Sequence, residues 1–417
     1  MVTPSSSSSA SSAPTSPSAP RSWLSWLKAP RESFIISRNR LITSPRFQRW
    51  AAGFFLTRPL ARHSASEVFD LVSGFVYSQI LLACVRLNLF EILNEAPHTH
   101  SLESLAKRLD LSSAATKRLL DAAISLNLVC RFGARATDLA SEVNVRYALG
   151  PLGAPLVGNV AVLAMVEHHA MVYRDLHDPV ALLRGTEGAQ ATQLATYWPY
   201  AANMVEADVA STNIAAYTKL MAASLPLVAD EILDAYSFAG NRRLLDVGGG
   251  DGSFLASVAA RHPHLQLQLF DLPAVAALAT QKFASLNLSH RAEAIGGNFL
   301  SDPIPSGADI ISFVRIIHDH DDERVRALLT AAHKALSTSS AGKNGCVLIA
   351  EPMADTPGAA HIGDAYFGFY LLAMGRGRAR TPAEIGALLK SCGFSEPKLL
   401  PTRLPMQTSV LISSPST

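Results

Sequence analysis

The chain has 417 residues, of which 48% are hydrophobic and 17% charged, and its formal net charge is +2 at pH 7. That length exceeds one ordinary core and predicts two domains plus a tail, with ample apolar material to bury. Its four cysteines, Cys84, Cys130, Cys346 and Cys392, form no CxxC pair, which excludes a disulfide frame or zinc site and predicts buried, reduced thiols in a cytoplasmic chain.

Residues 1–20 are rich in Ser, Ala, Pro and Thr and carry no charged side chain. They lack the apolar core of a secretory signal and are expected to be disordered, although an acid-free, Ser-rich stretch also resembles an organelle transit peptide. Residues 21–62 hold Arg21, Lys28, Arg31, Arg38, Arg40, Arg46, Arg49, Arg58 and Arg62 against one acid, Glu32, so the remaining body is mildly acidic. Three of the four tryptophans, Trp23, Trp26 and Trp50, lie in this arm with Phe34, Phe47, Phe54 and Phe55. Cations interleaved with aromatics suit peripheral contact with an anionic membrane surface. They equally suit packing on the acidic body or on a partner subunit.

From Ser64 to about Leu149 the pattern is helical. Val68, Leu71, Val72, Phe75 and Val76 give a long apolar face, and helices opening at Ser101 and Ser112 precede a strand near residues 126–129. This is a winged-helix outline. Its candidate reading helix offers only Lys117 and Arg118, beside Asp121, so a DNA-binding regulator is disfavoured, no nucleic-acid partner is expected, and the domain more plausibly builds a homodimer. Residues 147–166 form the longest uncharged run, but Gly150, Pro151, Gly153, Pro155 and Gly158 break its first half. A buried loop followed by a core helix is expected there rather than a transmembrane span. Residues 173–200 are poorly periodic and end in an aromatic cluster at 197–200. Residues 208–236 give a helical pattern broken at Pro226, after which the next domain begins near Tyr236.

Residues 244–252 read Leu-Leu-Asp-Val-Gly-Gly-Gly-Asp-Gly, an apolar run ending in Asp246, then Gly248, Gly249, Gly250 and Gly252, then a helical run over 253–260. Strand, tight turn and helix bring main-chain N–H groups close to a ligand. The next apolar run, 265–270, ends in Asp271, an acid placed to meet a ribose. The glycine spacing is G-x-G-x-G, not the G-x-G-x-x-G of dinucleotide sites. Asp246 would repel a pyrophosphate and welcome the ammonium of a methionine-like group. Both features favour S-adenosyl-L-methionine over a nicotinamide or flavin.

Residues 310–317 are apolar and β-branched and read as a buried parallel strand that delivers His318, Asp319, His320, Asp321, Asp322 and Glu323 to its C-terminal end. Arg315 near that end joins the cofactor candidates. An imidazole there can take a proton from a hydroxyl. No metal is expected: His-x-His on an extended turn splays its rings, and the three acids read as the first turn of a helix over 324–336, with His320 a packing residue. The strand at 347–350 ends in Glu351, a carboxylate placed to face His318. The segment holding His361, Asp364, Tyr366, Phe367, Phe369, Tyr370 and Met374 reads as an apolar aromatic helix, either core or pocket wall. With Met221, its Asp364, Phe367 and Met374 are candidate contacts for a hydrophobic hydroxylated substrate. A last helix over 381–390 precedes the final strands.

The motifs Leu-Asp-Val-Gly-Gly-Gly-Asp-Gly, Phe-Asp-Leu-Pro, Gly-Gly-Asn-Phe, Ile-His-Asp-His-Asp-Asp-Glu and Ile-Ala-Glu-Pro-Met occur in order. In combination the chain resembles the S-adenosylmethionine-dependent O-methyltransferases of the caffeate/hydroxyindole type over residues 64–412. Residues 363–380, with His-Asp-His where plant members have His-Asp-Trp, resemble the bacterial carotenoid branch, which methylates the tertiary C1 hydroxyl of hydroxyneurosporene- or demethylspheroidene-type acyclic carotenoids. A phenolic or polyketide hydroxyl is the alternative acceptor.

The resemblance implies an α/β fold, with a Rossmann-like class I methyltransferase domain at 236–417. An α-helical winged-helix dimerisation and substrate-lid domain at 63–235 precedes it, behind the tail and arm at 1–62. It implies that Gly248, Gly250 and Gly252 pass under the methionine, Asp271 and Leu272 meet ribose and adenine, and Asn298 and Phe299 flank the adenine. His318 is implied as the base and Glu351 as its orienting acid. Plant members carry a second glutamate before an Arg-Thr pair; here that place is Ala379, before Arg380 and Thr381.

Overall fold

The computed structural model describes residues 24–133, 145–185, 192–197, 211–338 and 345–416. The Ser-rich tail and the aromatic residues 198–200 lie outside them. The chain divides into two compact units, one ending at Ser78 and one running from Gln79.

The first unit is helical: α1 (Leu24–Ile42), α2 (Pro45–Gly53) and most of α3 (Arg58–Arg86). Ser44 caps α2 and Pro45 supplies its first position, where a missing N–H costs nothing. Trp50 stacks on Phe54 at 5.2 Å and lies 5.6 Å from Phe47. Phe34, Ile36, Trp50, Phe55 and Leu56 are exposed. Among the described residues, Arg38, Arg40, Arg46, Arg49, Arg58 and Arg62 make no ion pair. The expected apolar face of α3 is present, with Val68, Leu71, Val72 and Phe75 exposed; burial begins near its end, at Leu82 and Cys84. It is the one helix among the described residues long and apolar enough to cross a membrane.

The second unit opens with α4 (Leu89–Asn94), α5 (Leu102–Leu109) and α6 (Ser113–Ser125), packed on an antiparallel ribbon of β1 (Val129–Phe132) and β2 (Arg146–Leu149). Ser101 and Ser112 cap α5 and α6 as expected, each accepting a backbone N–H at 3.2 Å. Residues 151–160 are mostly exposed, Leu152 at 58%, so the expected buried loop is a surface turn. The core helix that follows is α7 (Val160–Asp175), then short α8 (Pro179–Leu183) and α9 (Gln193–Tyr197). Helix α10 (Ser211–Ala235) runs through Pro226 instead of breaking there, and the proline sits at an exposed position. Three cysteines are buried as expected; Cys130 is only half-buried.

The rest is an α/β sandwich. Its strands are β3 (Arg243–Val247), β4 (Gln266–Asp271), β5 (Ala292–Gly296), β6 (Ile310–Val314), β7 (Cys346–Glu351), β8 (Lys398–Leu400) and β9 (Ser409–Ser413), in the order β5-β4-β3-β6-β7-β9-β8. The first five are parallel, and β9 is antiparallel to both neighbours. Helices α11 (Ser253–Arg261) and α12 (Pro273–Ser285) join α10 in one core, around Phe254, Leu267 and Phe283. On the other face α13 (Asp322–Ser337) and α15 (Pro382–Ser391) cover Ile311, Phe313 and Ile349. Strand β6 stops at Val314, short of the expected 317, because Arg315 takes a left-handed φ of 57° and turns the chain. The aromatic segment is a π-helix, His361–Phe367, followed by α14 (Gly368–Ala373).

Candidate active site

Parallel strands bring their last residues to one edge, and the strand order reverses between β3 and β6. The loops after these strands diverge and leave a crevice there. Met221, Asp246, Gly248, Gly250, Asp251, Asp271, Phe299, Arg315, Asp319 and His320 are among the residues lining it. Gly248, Gly250 and Gly252 have φ of 73°, 61° and 80°, the left-handed region that favours glycine. A Cβ on Gly249 would lie 2.5 Å from Asp246 Oδ2, whereas one on Gly250 would meet open space. The loop is thus packed against the sheet at Gly249 and open to a ligand at Gly250.

Two carboxyls flank that opening. Asp246 Oδ1 accepts from Ser312 Oγ at 2.6 Å, and Oδ2 has no hydrogen-bond partner although the residue is only 1% exposed. Burial pushes the Asp246 carboxyl up to about 7 against the Ser312 bond, with a smaller push from Asp271. Asp271 accepts from the amides of Gly250 at 2.9 Å and Leu272 at 2.7 Å, tying the glycine loop to β4; burial still raises it to about 6. An orphaned buried acceptor beside an uncovered main-chain turn fits a group carrying both a cation and hydroxyls. The Asp251 carboxylate is itself neutralised by Lys282 at 2.6 Å.

The turn after β6 has two sides. Asp319 and His320 line the crevice, and His320 packs edge-on against Phe299 at 5.6 Å. His318 does not line the crevice; its ring stacks on Phe367 at 6.1 Å. Its Nε2 lies 3.2 Å from Asp319 Oδ1, and its Nδ1 has no partner. Burial, then the charges of Arg315, His320 and Arg380, hold the imidazole down to about 3, so it is neutral at physiological pH. Burial, then the nearby Glu351 carboxyl, raises Asp319 well above the carboxylate range. Glu351 faces His318 differently from expectation. It accepts from the His318 backbone amide at 3.1 Å rather than pairing with the ring, and burial lifts it to about 7.

Other candidates fall elsewhere. Arg315 lines the crevice but spends its guanidinium on α10, donating to Ser224 Oγ at 2.9 Å and to the Met221 carbonyl at 3.0 Å. Met221 accordingly lines this crevice, not a separate acceptor chamber. Gly252, Leu272 and Asn298 shape the surrounding turns without lining it; the Asn298 side chain accepts from the Leu300 amide at 3.0 Å. Asp364 is exposed, accepts from the Asp355 amide at 2.9 Å and does not line the crevice. Met374 is 3% exposed in a helical core with Val172, Leu182 and Leu371. Phe367 of that segment stacks on His318. The sequence alone assigns no role to Asp319 or Arg380; the acid adjoining His318 is the one signal, since Arg380 stands beside Arg376 and Arg378 in a polar stretch.

A glycine-turned crevice at the switch point, with buried acids at the ends of the adjacent strands β3 and β4, defines a class I S-adenosylmethionine-binding fold. The chain belongs to the O-methyltransferase family. The family's O-methyltransferase domain matches residues 173–395 and its dimerisation domain residues 69–158. Its cofactor is S-adenosylmethionine, and its dimerisation domain supports a homodimer. It is 40% identical to the demethylspheroidene O-methyltransferase of Cereibacter sphaeroides, over 89% of this chain and 93% of that one. To the enzyme of the same name from Rhodobacter capsulatus it is 38% identical, over 85% and 84%. Human N-acetylserotonin methyltransferase, solved in complex with S-adenosylmethionine, shares the fold with a TM-score of 0.68 at 21% identity, covering 85% of this chain and 98% of that one.

Ser312→Ala leaves both Asp246 oxygens without a protein partner. It is expected to lower the stability of the cofactor-free protein by ~1–3 kcal/mol. Urea denaturation at pH 8 measures this, and an unchanged midpoint would show that the bond contributes nothing.

Proposed function

We propose that the chain methylates the tertiary C1 hydroxyl of an acyclic carotenoid, with His318 accepting the proton. The observation that carries the chemistry is the neutral, buried imidazole whose Nδ1 has no partner, one residue from a side chain that lines the cofactor crevice. The names of the two relatives, and the aromatic wall of Tyr366, Phe367 and Tyr370, support a long apolar acceptor.

S-adenosylmethionine supplies an electrophilic methyl group on its sulfonium. Asp246 Oδ2 would hold the cofactor's ammonium, Asp271 its ribose hydroxyls, and Phe299 would flank its adenine. With Nε2 3.2 Å from Asp319, the unpartnered Nδ1 is the nitrogen that would accept the acceptor's hydroxyl proton. A tertiary alcohol is far less acidic than a phenol, and an imidazole held this low is a weak base. The proton therefore leaves late, and alignment supplies most of the rate. Residues 63–235 act as dimerisation and lid domain and 236–417 as catalytic domain, a division supported by the dimerisation-domain match over 69–158. Residues 21–62 meet an anionic bilayer that holds the acceptor. The unpaired arginines and exposed aromatics of α1 and α2 support this.

Three outcomes follow from these assignments. His318→Ala keeps cofactor affinity and loses ~10²–10⁴ of the rate on a detergent-solubilised 1-hydroxycarotenoid; full turnover would remove His318 from its role. Cofactor affinity, followed by calorimetry with S-adenosylhomocysteine, weakens as pH falls through about 7, because Asp246 must be ionised to hold a cation. The slope approaches tenfold per pH unit on the acid side. Asp246→Asn should abolish that slope, and a flat profile in the unmutated protein would exclude the ion pair. Deleting residues 1–62 reduces sedimentation with vesicles rich in anionic lipid while sparing activity in detergent. Equal sedimentation of both forms would leave the arm without a membrane role.

A further inference from the structure

We infer that Arg380 is a positioning residue of the methyl transfer: its buried guanidinium fixes the backbone of the turn that presents His318. The inference rests on His318 being the base.

Arg380 is 0% exposed. Its Nη1 donates to the Ile317 carbonyl at 2.9 Å and its Nη2 to the His320 carbonyl at 2.7 Å, the residues that bracket His318 and Asp319. The guanidinium is anchored by Asp322, whose Oδ1 accepts from Nε at 2.9 Å and from Nη2 at 2.7 Å. The same loop takes the His318 carbonyl, through the Arg378 amide at 2.9 Å. Gly377 allows this approach: its φ is 79°, and a Cβ there would stand 2.1 Å from the His318 oxygen.

Three carbonyls of residues 317–320 are thus held from one side. Glu351 holds the His318 amide from the other. The imidazole itself meets Asp319 and the face of Phe367, and no carboxylate takes Nδ1. Its orientation is therefore set through the backbone. That is a different solution from a pair of acids on the ring, and it suits a chain with Ala379 before Arg380 and Thr381, where the resemblance puts a second glutamate in plant members. The geometry needs three nitrogens in one plane, which arginine has and lysine lacks.

The test uses the full chain, with S-adenosylmethionine and a 1-hydroxycarotenoid in detergent. Arg380→Met is expected to lower kcat ~10–100-fold, the scale of a small misplacement of a reacting group. KM for both substrates, and affinity for S-adenosylhomocysteine, should stay within about twofold. Arg380→Lys should recover little of the loss. On a His318→Ala background Arg380→Met should add no further loss, since it acts through the histidine. An unchanged kcat, a loss carried by KM and cofactor affinity, or a full additional loss on that background would each overturn the inference. Should Arg380→Met fail to fold, Asp322→Asn, which loosens the guanidinium, must lower kcat at constant cofactor affinity, and an unchanged kcat again overturns it. If His318→Ala alone keeps its full rate, the base assignment falls, whatever the arginine variants do.

Discussion

Burial of carboxyls at the ends of parallel strands is the constraint on which the rest of the site depends. Asp246, Asp271 and Glu351 lie at or next to the last positions of β3, β4 and β7, and all are buried. Taking a carboxylate out of water costs several kcal/mol unless hydrogen bonds offset it. The sheet supplies part of that offset for each: the Ser312 hydroxyl for Asp246, two amides for Asp271, the His318 amide for Glu351. Asp246 and Glu351 each keep one oxygen unpartnered. The compensation is incomplete, so burial raises all three carboxyls toward physiological pH. In the crevice, the unpartnered Asp246 oxygen favours a ligand that brings donors and positive charge.

The register of the sheet makes this arrangement possible. Asp246 stands beside Ser312 because β3 and β6 pair in parallel with those residues opposite one another. The same pairing brings the glycine turn after β3 next to the turn after β6. One crossing therefore fixes the cofactor loop, the Asp246 carboxyl and the His-Asp-His segment together. Residues 317–320 then separate two environments, with Asp319 and His320 toward the crevice and His318 toward the aromatic π-helix.

The features legible in the sequence were those written in consecutive residues. The glycine turn, Asp246, Asp271, the caps at Ser101 and Ser112, and the acidic start of α13 each follow from local backbone chemistry. What could not be read needed contacts distant along the chain. Arg380 reaches carbonyls some sixty positions away, and nothing in its surroundings in sequence marks it as buried. Asp364 and Met374 sat in an aromatic helical pattern that reads alike for a core and a pocket wall; the π turn aims Phe367 at the histidine and leaves Met374 in the helical core. Strand β6 was read too long because a β-branched run cannot reveal that Arg315 adopts a left-handed φ.

The placement of His318 bears on how such a site can work. An imidazole buried beside Arg315 and Arg380 is a poorer base than one in water, and the carboxyl 3.2 Å from its Nε2 is one that burial itself drives toward the neutral form. Strong general-base catalysis requires a pKa near the operating pH, which this environment opposes. The same environment offers rigidity: a turn bonded through its carbonyls on one side and an amide on the other, with an aromatic ring against the imidazole face. A fixed acceptor nitrogen with little basicity does little for a substrate that must be ionised first. It suits one whose hydroxyl has only to be aligned with an already electrophilic methyl group, losing its proton as the new bond forms.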